Sequence, residues 1–174
     1  MTQSVGRNRD TPLEARILAI FAIVAATSLV AGLGGLISQS EADAWYLQLE
    51  KAPGTPPGVV FAIVWPTLYT LMTIGAILAW NGAGSWRGAD GAMGIYFAQL
   101  AANLGWSALF FHLHRPLAAL IDLCVLLILT GLMITEFARH SRIAAQLQAP
   151  YLAWLGFAFY LNLWVVLRNP GSAF

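Results

Sequence analysis

Charge is the scarcest property of this sequence. Nine Lys and Arg together with eight Asp and Glu make up 10% of its 174 residues, whereas soluble domains carry roughly 25%. This composition excludes an ordinary soluble enzyme. The net charge is only +1 and no run of Lys or Arg forms a basic face, so nucleic acid is not an expected partner.

Cysteine is nearly absent, and so are groups of metal-ligating residues. The single Cys124 cannot form an internal disulfide, and no Cys/His cluster suggests a metal site. His112 and His114 are two positions apart, which places them on different faces of a helix, so they cannot chelate one metal together. The sequence therefore predicts no metal, no obligatory cofactor and no hydrolytic set of catalytic residues.

Long apolar stretches are what the sequence has instead. Hydrophobic residues make up 59% of it, and no charged residue lies between Arg16 and Glu41 or between Lys51 and Arg87. A helix needs about 20 apolar residues to cross a bilayer core of about 30 Å. We therefore expect an all-α integral membrane protein, a five-helix bundle with spans at about residues 17–37, 58–80, 91–114, 117–135 and 150–167. Tails at 1–16 and 170–174 would flank a single membrane domain at 17–169.

The distribution of positive charge predicts the orientation of this multi-pass bundle. Five spans would place the two termini on opposite sides of the membrane. More Lys and Arg fall on the side of the amino terminus than on the other, namely Arg7, Arg9, Arg16, Arg87, Arg139 and Arg142 against Lys51, Arg115 and Arg168. By the positive-inside rule, the amino terminus then lies inside and the loop after the first span lies outside.

The third predicted span carries a stripe of small residues and a stripe of polar residues. Gly94, Ala98 and Ala102 recur every four positions, where small side chains let another helix approach closely, so they predict a homodimer interface. The polar stripe runs beside them and consists of Gln99, Asn103 and Ser107. Because polar groups in hydrocarbon need partners, this face is expected to point into the protein or a cavity.

One acidic residue, Asp122, lies within the fourth predicted span. An ionised acid at mid-bilayer would cost on the order of 2.5–3.5 kcal/mol, so it should be neutralised, paired or close to a helix end. Its short distance from Pro116 along the chain favours a structural hydrogen bond or a charge that reaches the headgroups. A proton relay through Asp122 is the alternative.

Tryptophan is abundant, with seven residues. Three of them suit an aromatic belt at the headgroups: Trp80, Trp86 and Trp164. One face of the second span carries Phe61, Trp65 and Tyr69. A similar face of the fifth carries Trp154, Ala158 and Leu161, where the small Ala158 leaves space beside the indole ring. On the third span, Trp106 lies one turn from Asn103. These residues either only pack together or line a flat pocket for a large planar ligand, which Asn103 would orient.

Several motifs occur in an order that is typical of one known family. They are Trp45-Tyr46, Glu50-Lys51, Thr55-Pro56-Pro57-Gly58, Val64-Trp65-Pro66-Thr67-Leu68-Tyr69, Ala98-Gln99-Leu100 with Asn103 and Trp106, Leu120-Ile121-Asp122, and Pro150-Tyr151-Leu152-Ala153-Trp154. Their order and spacing resemble the TspO/MBR family, the tryptophan-rich sensory proteins that include the mitochondrial translocator protein. The resemblance covers roughly residues 17–169.

The resemblance implies five helices around a ligand pocket that the loop between the first two helices caps. It also implies a homodimer through the third helix and a location in a bacterial envelope membrane or the mitochondrial outer membrane. The implied ligands are porphyrins and haem and, in mitochondrial relatives, cholesterol and synthetic drugs. By position, five residues match pocket or lid residues of the family: Trp65, Trp154, Asn103 and Ala158 at the ligand, and Trp45 in the lid.

The sequence departs from the family pattern in two places. Family members commonly read Lys-Pro-x-Trp before the double proline, whereas this chain reads Lys51-Ala52-Pro53-Gly54 and lacks one lid tryptophan and one proline. The cholesterol motif needs a Tyr a few residues before a Lys or Arg. Tyr160 is too far from Arg168 to fit it, so a sterol is an open partner without a motif to support it.

The residues and the resemblance together predict a membrane binding protein for porphyrin, haem and similar planar amphipathic molecules. Such a protein would act in sensing, transport or regulation of tetrapyrrole metabolism. Two alternatives stay open. One is light-dependent degradation of a bound porphyrin, for which Trp65 and Trp154 match the residues implicated in the family. The other is a proton-coupled carrier that uses Asp122.

Overall fold

A computed structural model of the protein describes residues 12–40 and 44–172, which form helices and short turns without a strand. The helices are α1 (Leu13–Ser40), α2 (Ala44–Gln48), α3 (Gly58–Ala83), α4 (Trp86–Ser107), α5 (Pro116–His140), α6 (Arg142–Gln146) and α7 (Ala149–Arg168). A π-helical turn, Ala108–His112, follows α4, and a 3-10 turn, Pro170–Ser172, follows α7. Of the two predicted tails, residues 1–11, 173 and 174 lie outside the described residues.

Four helical segments within the described residues are long and apolar enough to cross a membrane. They are α1, α3, α5 and the segment Arg142–Arg168, which contains α6 and α7. The prediction of an all-α membrane protein is confirmed at this level. α4 does not join them, because it carries Arg87 and Asp90 near its start and amide and hydroxyl side chains along its length. The five crossings therefore stay a prediction.

The junction between α3 and α4 is shorter than the interval between the predicted spans 58–80 and 91–114, because α3 ends at Ala83 and α4 begins at Trp86. Gly84 adopts a φ of 70°, a left-handed conformation that ends α3. The hydroxyl of Ser85 then accepts a hydrogen bond from the Gly88 amide at 3.0 Å, which starts α4 at once. At its other end α4 stops at Ser107, so the predicted span 91–114 is not one continuous α-helix.

The core lies where α4 packs against α1, α3 and α5. Large apolar side chains fill it, among them Met72, Tyr96, Leu123, Met133 and Phe137. The polar stripe of α4 is buried with them: Gln99, Asn103 and Ser107 are 0%, 1% and 6% exposed. The expectation that this face points into the protein is confirmed.

The outer surface of the bundle is apolar, as expected for helices that face lipid. Large hydrophobic side chains are exposed on α1, α3 and α5, including Phe21, Leu29, Ile63, Ile121 and Ile128. Trp80, which the sequence suggested for an aromatic belt, is instead 1% exposed. It lies beside the tight α3–α4 junction, where its ring meets the edge of Trp86 at 6.0 Å, so the belt assignment is wrong for Trp80.

Gly82 marks a point at which the end of α3 touches the end of α5. A Cβ atom at Gly82 would overlap the carbonyl oxygen of His140 and lie 3.3 Å from the His140 Cβ. Backbone atoms cannot rotate away, so Gly82→Ala is expected to lower the free energy of unfolding. We expect about 1 kcal/mol, the low end for overpacking, because both residues lie near helix ends that can shift. Thermal unfolding in detergent micelles measures it.

Gly131→Ala is the matched control for this substitution. Gly131 also lies within a helix, but no atom lies within 4 Å of its Cβ position. Alanine there should be neutral or stabilising, because it restricts the unfolded chain and favours the helix. An equal loss of stability in both variants would contradict the steric explanation.

Candidate ligand site between helices α3 and α7

Aromatic rings from α3 and α7 meet across a gap between these helices. The backbones of α3 and α7 approach closely at few positions, unlike those of α4 and α5. Large side chains bridge the gap instead: the ring centroids of Trp65 and Trp154 are 6.5 Å apart at an interplanar angle of 84°, and those of Phe61 and Trp154 are 5.5 Å apart. Trp65 also stacks on Tyr69 at 5.5 Å. The structure thus brings four of the predicted pocket residues together.

A groove of about 500 Å³ lies between α3 and α7 on one side of Trp154. Its lining residues are Ile63, Val64, Thr67, Leu68, Leu71, Pro150, Ala153, Trp154 and Phe157. Trp154 is the member of this wall that the sequence predicted as a site residue. Because Ile63 is 64% exposed, the groove opens toward the lipid-facing surface of the bundle. Its volume lies within the range of about 300–1,000 Å³ that is usual for small-molecule sites.

A buried chain of hydrogen bonds lies behind the rings. The hydroxyl of Tyr69 donates to Asn103 Oδ1 at 2.5 Å, and Asn103 Nδ2 donates to the hydroxyl of Tyr151 at 3.0 Å. The Tyr151 hydroxyl in turn donates to Gln99 Oε1 at 3.1 Å. Asn103 therefore joins the aromatic residues of α3 to α7 and to the polar stripe of its own helix.

Two members of this hydrogen-bond network were absent from the predicted site residues. Tyr151 is 0% exposed, and it lies on the same face of α7 as Trp154 and Ala158 because these positions are three and four residues apart. That spacing could have identified it. Gln99 was assigned to the polar stripe only, although its Nε2 atom is buried without a partner among the described residues. An unsatisfied buried donor is unusual and leaves this amide able to bind a further acceptor.

Trp106 and Trp45 lie in a second aromatic cluster rather than beside Trp65 and Trp154. Trp106 stacks on Phe110 at 5.5 Å, and its Nε1 donates to Asn162 Oδ1 at 3.1 Å. Trp45 meets the edge of Phe110 at 5.8 Å and stacks on His114 at 4.4 Å. The predicted site is therefore divided between two neighbouring groups of rings, one between α3 and α7 and one beneath α2.

Two smaller predicted site residues lie on α7. Ala158 is half-buried and packs against the same core cluster as Trp65 and Trp154. Leu161 is half-buried one turn further along the helix. Their contact with a ligand stays a prediction.

The segment after α2 is seated on the bundle by apolar side chains. Leu49 and Ala52 are 6% and 5% exposed, and Leu49 packs with Phe110, Ala119 and Val165. The ring of Tyr46 lies 4.8 Å from Lys51 Nζ, and burial raises the pKa of its hydroxyl. This end of the bundle, where α3 begins and α7 ends, is called the loop end below.

Comparison with known proteins follows from this geometry. The sequence model of the TspO/MBR family matches residues 20–168. The chain belongs to the TspO/MBR family. The resemblance found in the motifs is thereby confirmed.

Individual relatives of the TspO/MBR family are similar over most of the chain. The tryptophan-rich protein TspO of Chlorobaculum tepidum is 37% identical over 139 residues, which are 79% of this chain and 87% of that protein. The translocator protein of Bos taurus is 41% identical over 140 residues, 78% of this chain and 80% of the relative. Protein CrtK of Rhodobacter capsulatus is 30% identical over 155 residues, 89% of this chain and 96% of the relative.

The departure from the TspO/MBR pattern at residues 51–54 has a structural basis. Thr55 donates its amide to the carbonyl of Ala52 at 3.1 Å, and Gly54 adopts a φ of 80°. Pro53 followed by a residue with positive φ is the arrangement of a type II turn, which favours Gly at its third position. A tryptophan at position 54 would be strained in this turn.

Proposed function

We propose that this protein binds porphyrin, haem and similar planar amphipathic molecules within the membrane, in sensing, transport or regulation of tetrapyrrole metabolism. The observation that carries the proposal is the meeting of Trp65 and Trp154 across the loosely packed gap between α3 and α7, next to an apolar groove. Membership of the TspO/MBR family and similarity to proteins named TspO and CrtK agree with it.

A flat ligand would enter this site sideways from the lipid. The groove is open on the outer surface, and two indole rings that meet edge to face can part without breaking a hydrogen bond between them. Each aromatic stack gained would contribute about 0.5–1.5 kcal/mol beyond the burial of area. The Tyr69–Asn103 pair behind the rings would supply the polar contact that orients the ligand.

The experiment that tests the proposal is a titration of the purified protein in micelles with protoporphyrin IX or haem. Tryptophan fluorescence should be quenched and the Soret band of the porphyrin should shift, with saturation at one ligand per chain. A titration without saturable change in either signal would contradict the proposal.

The arrangement in the membrane is part of this proposal. We infer five crossings, in which the polar side chains Gln99, Asn103 and Ser107 of α4 are shielded from lipid by the helices that pack against it. The amino terminus would lie inside, and α2 would lie outside. The host membrane would be a bacterial envelope membrane or the mitochondrial outer membrane.

A homodimer through α4 is also proposed. Gly94 and Ala98 are exposed in the single chain, and no atom lies within 4 Å of the Cβ position of Gly94. Ala102, the third predicted interface residue, is half-buried and packs against the chain's own core, so the proposed interface is centred on Gly94 and Ala98.

Replacing Ala98 with leucine should shift the solubilised protein from dimer to monomer. The larger side chain would separate two helices that depend on small residues for close approach. Size-exclusion chromatography with light scattering measures the change. Cys124→Leu is the control, because Cys124 is exposed but lies on α5, a different helix from the proposed interface. A dimer that survives in the Ala98→Leu variant would exclude this face.

A proton-coupled carrier is the second candidate function, and Asp122 is the observation that favours it. Asp122 Oδ2 is buried without a hydrogen-bond partner among the described residues, and Oδ1 lies 3.5 Å from the Cβ position of Gly105 on α4. A proton or a donor group of a cargo would supply the missing partner. Transport into proteoliposomes that needs a pH gradient should then be lost in Asp122→Asn. If Asp122→Asn keeps this gradient-driven transport, the proton-coupled carrier is refuted.

A further inference from the structure

The residue that follows α7, Asn169, is bound to the backbone of Glu50 in both directions. The amide of Glu50 donates to Asn169 Oδ1 at 2.8 Å, and Asn169 Nδ2 donates to the carbonyl of Glu50 at 3.2 Å. The side-chain amide thus pairs with a peptide group as another peptide group would. Asn169 Nδ2 also donates to the Val165 carbonyl at 3.0 Å, which fixes the orientation of the side chain on its own helix.

A second contact holds the same segment further along. The hydroxyl of Tyr160 donates to the carbonyl of Pro53 at 3.1 Å, within the turn that contains Gly54. The backbones of residues 50 and 53 are therefore both hydrogen-bonded to side chains in α7 or directly after it. Such bonds do not depend on the side chains at these two loop positions.

The segment is fastened at the end of the candidate ligand groove. Phe157 lines the groove and stacks on Tyr160 at 6.3 Å, and Tyr160 lies one turn closer to the loop end. Tyr160 thus connects Phe157 at the groove to Pro53, and Asn169 binds the same segment at Glu50 from the residue that ends α7. A ligand that lies against Trp154 and Phe157 would reach toward residues 49–55 in the direction of the loop end.

We propose that Asn169 is a positioning residue that keeps residues 49–55 closed over the loop end of the groove and so sets how long a ligand stays bound. This inference rests on the proposed function. Asparagine suits the role because it offers a donor and an acceptor together, whereas Asp offers no donor and Ala offers neither. The bonds are made to the backbone, so Asn169 holds the loop although the family's lid proline and tryptophan are missing.

A nearby ion pair does not explain the closure. Arg168 Nε lies 3.6 Å from Glu50 Oε1, but the two side chains are 55% and 58% exposed. Exposed pairs of this kind contribute little because water screens them. Glu50→Gln removes the ion pair and leaves the backbone atoms that Asn169 binds, which makes it the matched control.

The first measurement uses the full chain in micelles without ligand. Hydrogen–deuterium exchange of residues 49–55 should become about tenfold faster in Asn169→Ala, because two hydrogen bonds to Glu50 are lost. Glu50→Gln should leave this rate unchanged. Tyr160→Phe is a second variant, expected to change exchange near Pro53 in the same direction by a smaller factor. Exchange that stays at the unmodified rate in Asn169→Ala would overturn the proposal.

The second measurement is the dissociation of protoporphyrin IX, followed by stopped-flow after transfer to an excess of lipid vesicles. We expect about tenfold faster dissociation in Asn169→Ala and the unmodified rate in Glu50→Gln. Faster exchange with unchanged dissociation would refute the role in residence time. If the unmodified protein binds no porphyrin, the proposed function fails and the residence-time role falls with it, while exchange still decides whether Asn169 anchors the loop.

Discussion

Trp65→Ala and Trp154→Ala are each expected to weaken protoporphyrin IX binding by about 10–100-fold. Each indole lies half-buried between α3 and α7. Trp65 contacts two other aromatic rings, and Trp154 contacts three. Removal of one ring takes away its stacking contribution and the apolar area that it would bury against the ligand. The sum of about 1.4–2.8 kcal/mol corresponds to this loss of affinity.

Affinity in these variants is best measured from the Soret band, because each substitution removes part of the tryptophan signal. Trp86→Ala is the matched control, since Trp86 is exposed at the start of α4 and its ring contact is with Trp80 rather than with the candidate site. Trp65→Phe should recover part of the affinity, because a smaller ring still stacks. Affinity that is equal in the unmodified protein, Trp65→Ala and Trp154→Ala would remove the site from the gap between α3 and α7.

Helical periodicity identified which residues share a face, and this part of the site could be read from the sequence. Phe61, Trp65 and Tyr69 do lie on one side of α3, and the polar stripe of α4 is buried. The pairing of Trp65 with Trp154 depends on the position of α7 relative to α3. Spacing within one helix contains no information on that position, so the pairing had to come from the family resemblance.

The same limit applies to Trp106, whose ring contacts spacing alone does not give. It lies one turn from Asn103, which suggested a shared pocket, but it points toward Phe110 and Asn162 at the loop end. Ala102 shows a related limit, because its four-residue spacing from Ala98 is compatible with a dimer face. The neighbouring helices bury one side of α4, and Ala102 falls on that side. Small residues allow close packing of helices, but they do not determine which helix packs against them.

Turns and helix ends were the least predictable part of the fold. Gly84 and Ser85 complete the α3–α4 junction in two residues, although the Gly-rich stretch around them suggested a longer loop. The hydrogen bonds between Asn169 and Glu50 join residues 119 positions apart. Contacts at this separation depend on the assembled bundle, and no local pattern in either segment points to them.

Asn103→Leu is expected to lower the free energy of unfolding by about 2 kcal/mol. Leucine is similar in size but leaves the Tyr69 hydroxyl without an acceptor and removes the donor to Tyr151. An orphaned buried group costs about 1–3 kcal/mol in soluble proteins, whereas hydrogen bonds between membrane helices average about 0.6 kcal/mol. Asn103→Leu loses two hydrogen bonds and leaves the Tyr69 hydroxyl without an acceptor in a closely packed site. We therefore expect a loss above the membrane average and within the range for soluble proteins.

Three further variants separate the network from the loss of a single side chain. Ser107→Ala should change stability little, because among the described residues Ser107 Oγ donates a long hydrogen bond of 3.4 Å to the Asn103 carbonyl of its own helix. Tyr69→Phe added to Asn103→Leu should restore part of the stability, because it removes the orphaned donor. Thermal unfolding in micelles then gives a double-mutant cycle with the single variants. If the stability lost in the double variant equals the sum of the losses in the two single variants, Tyr69 and Asn103 do not act together. The Tyr69–Asn103 pair could then not serve as the polar contact proposed for the ligand.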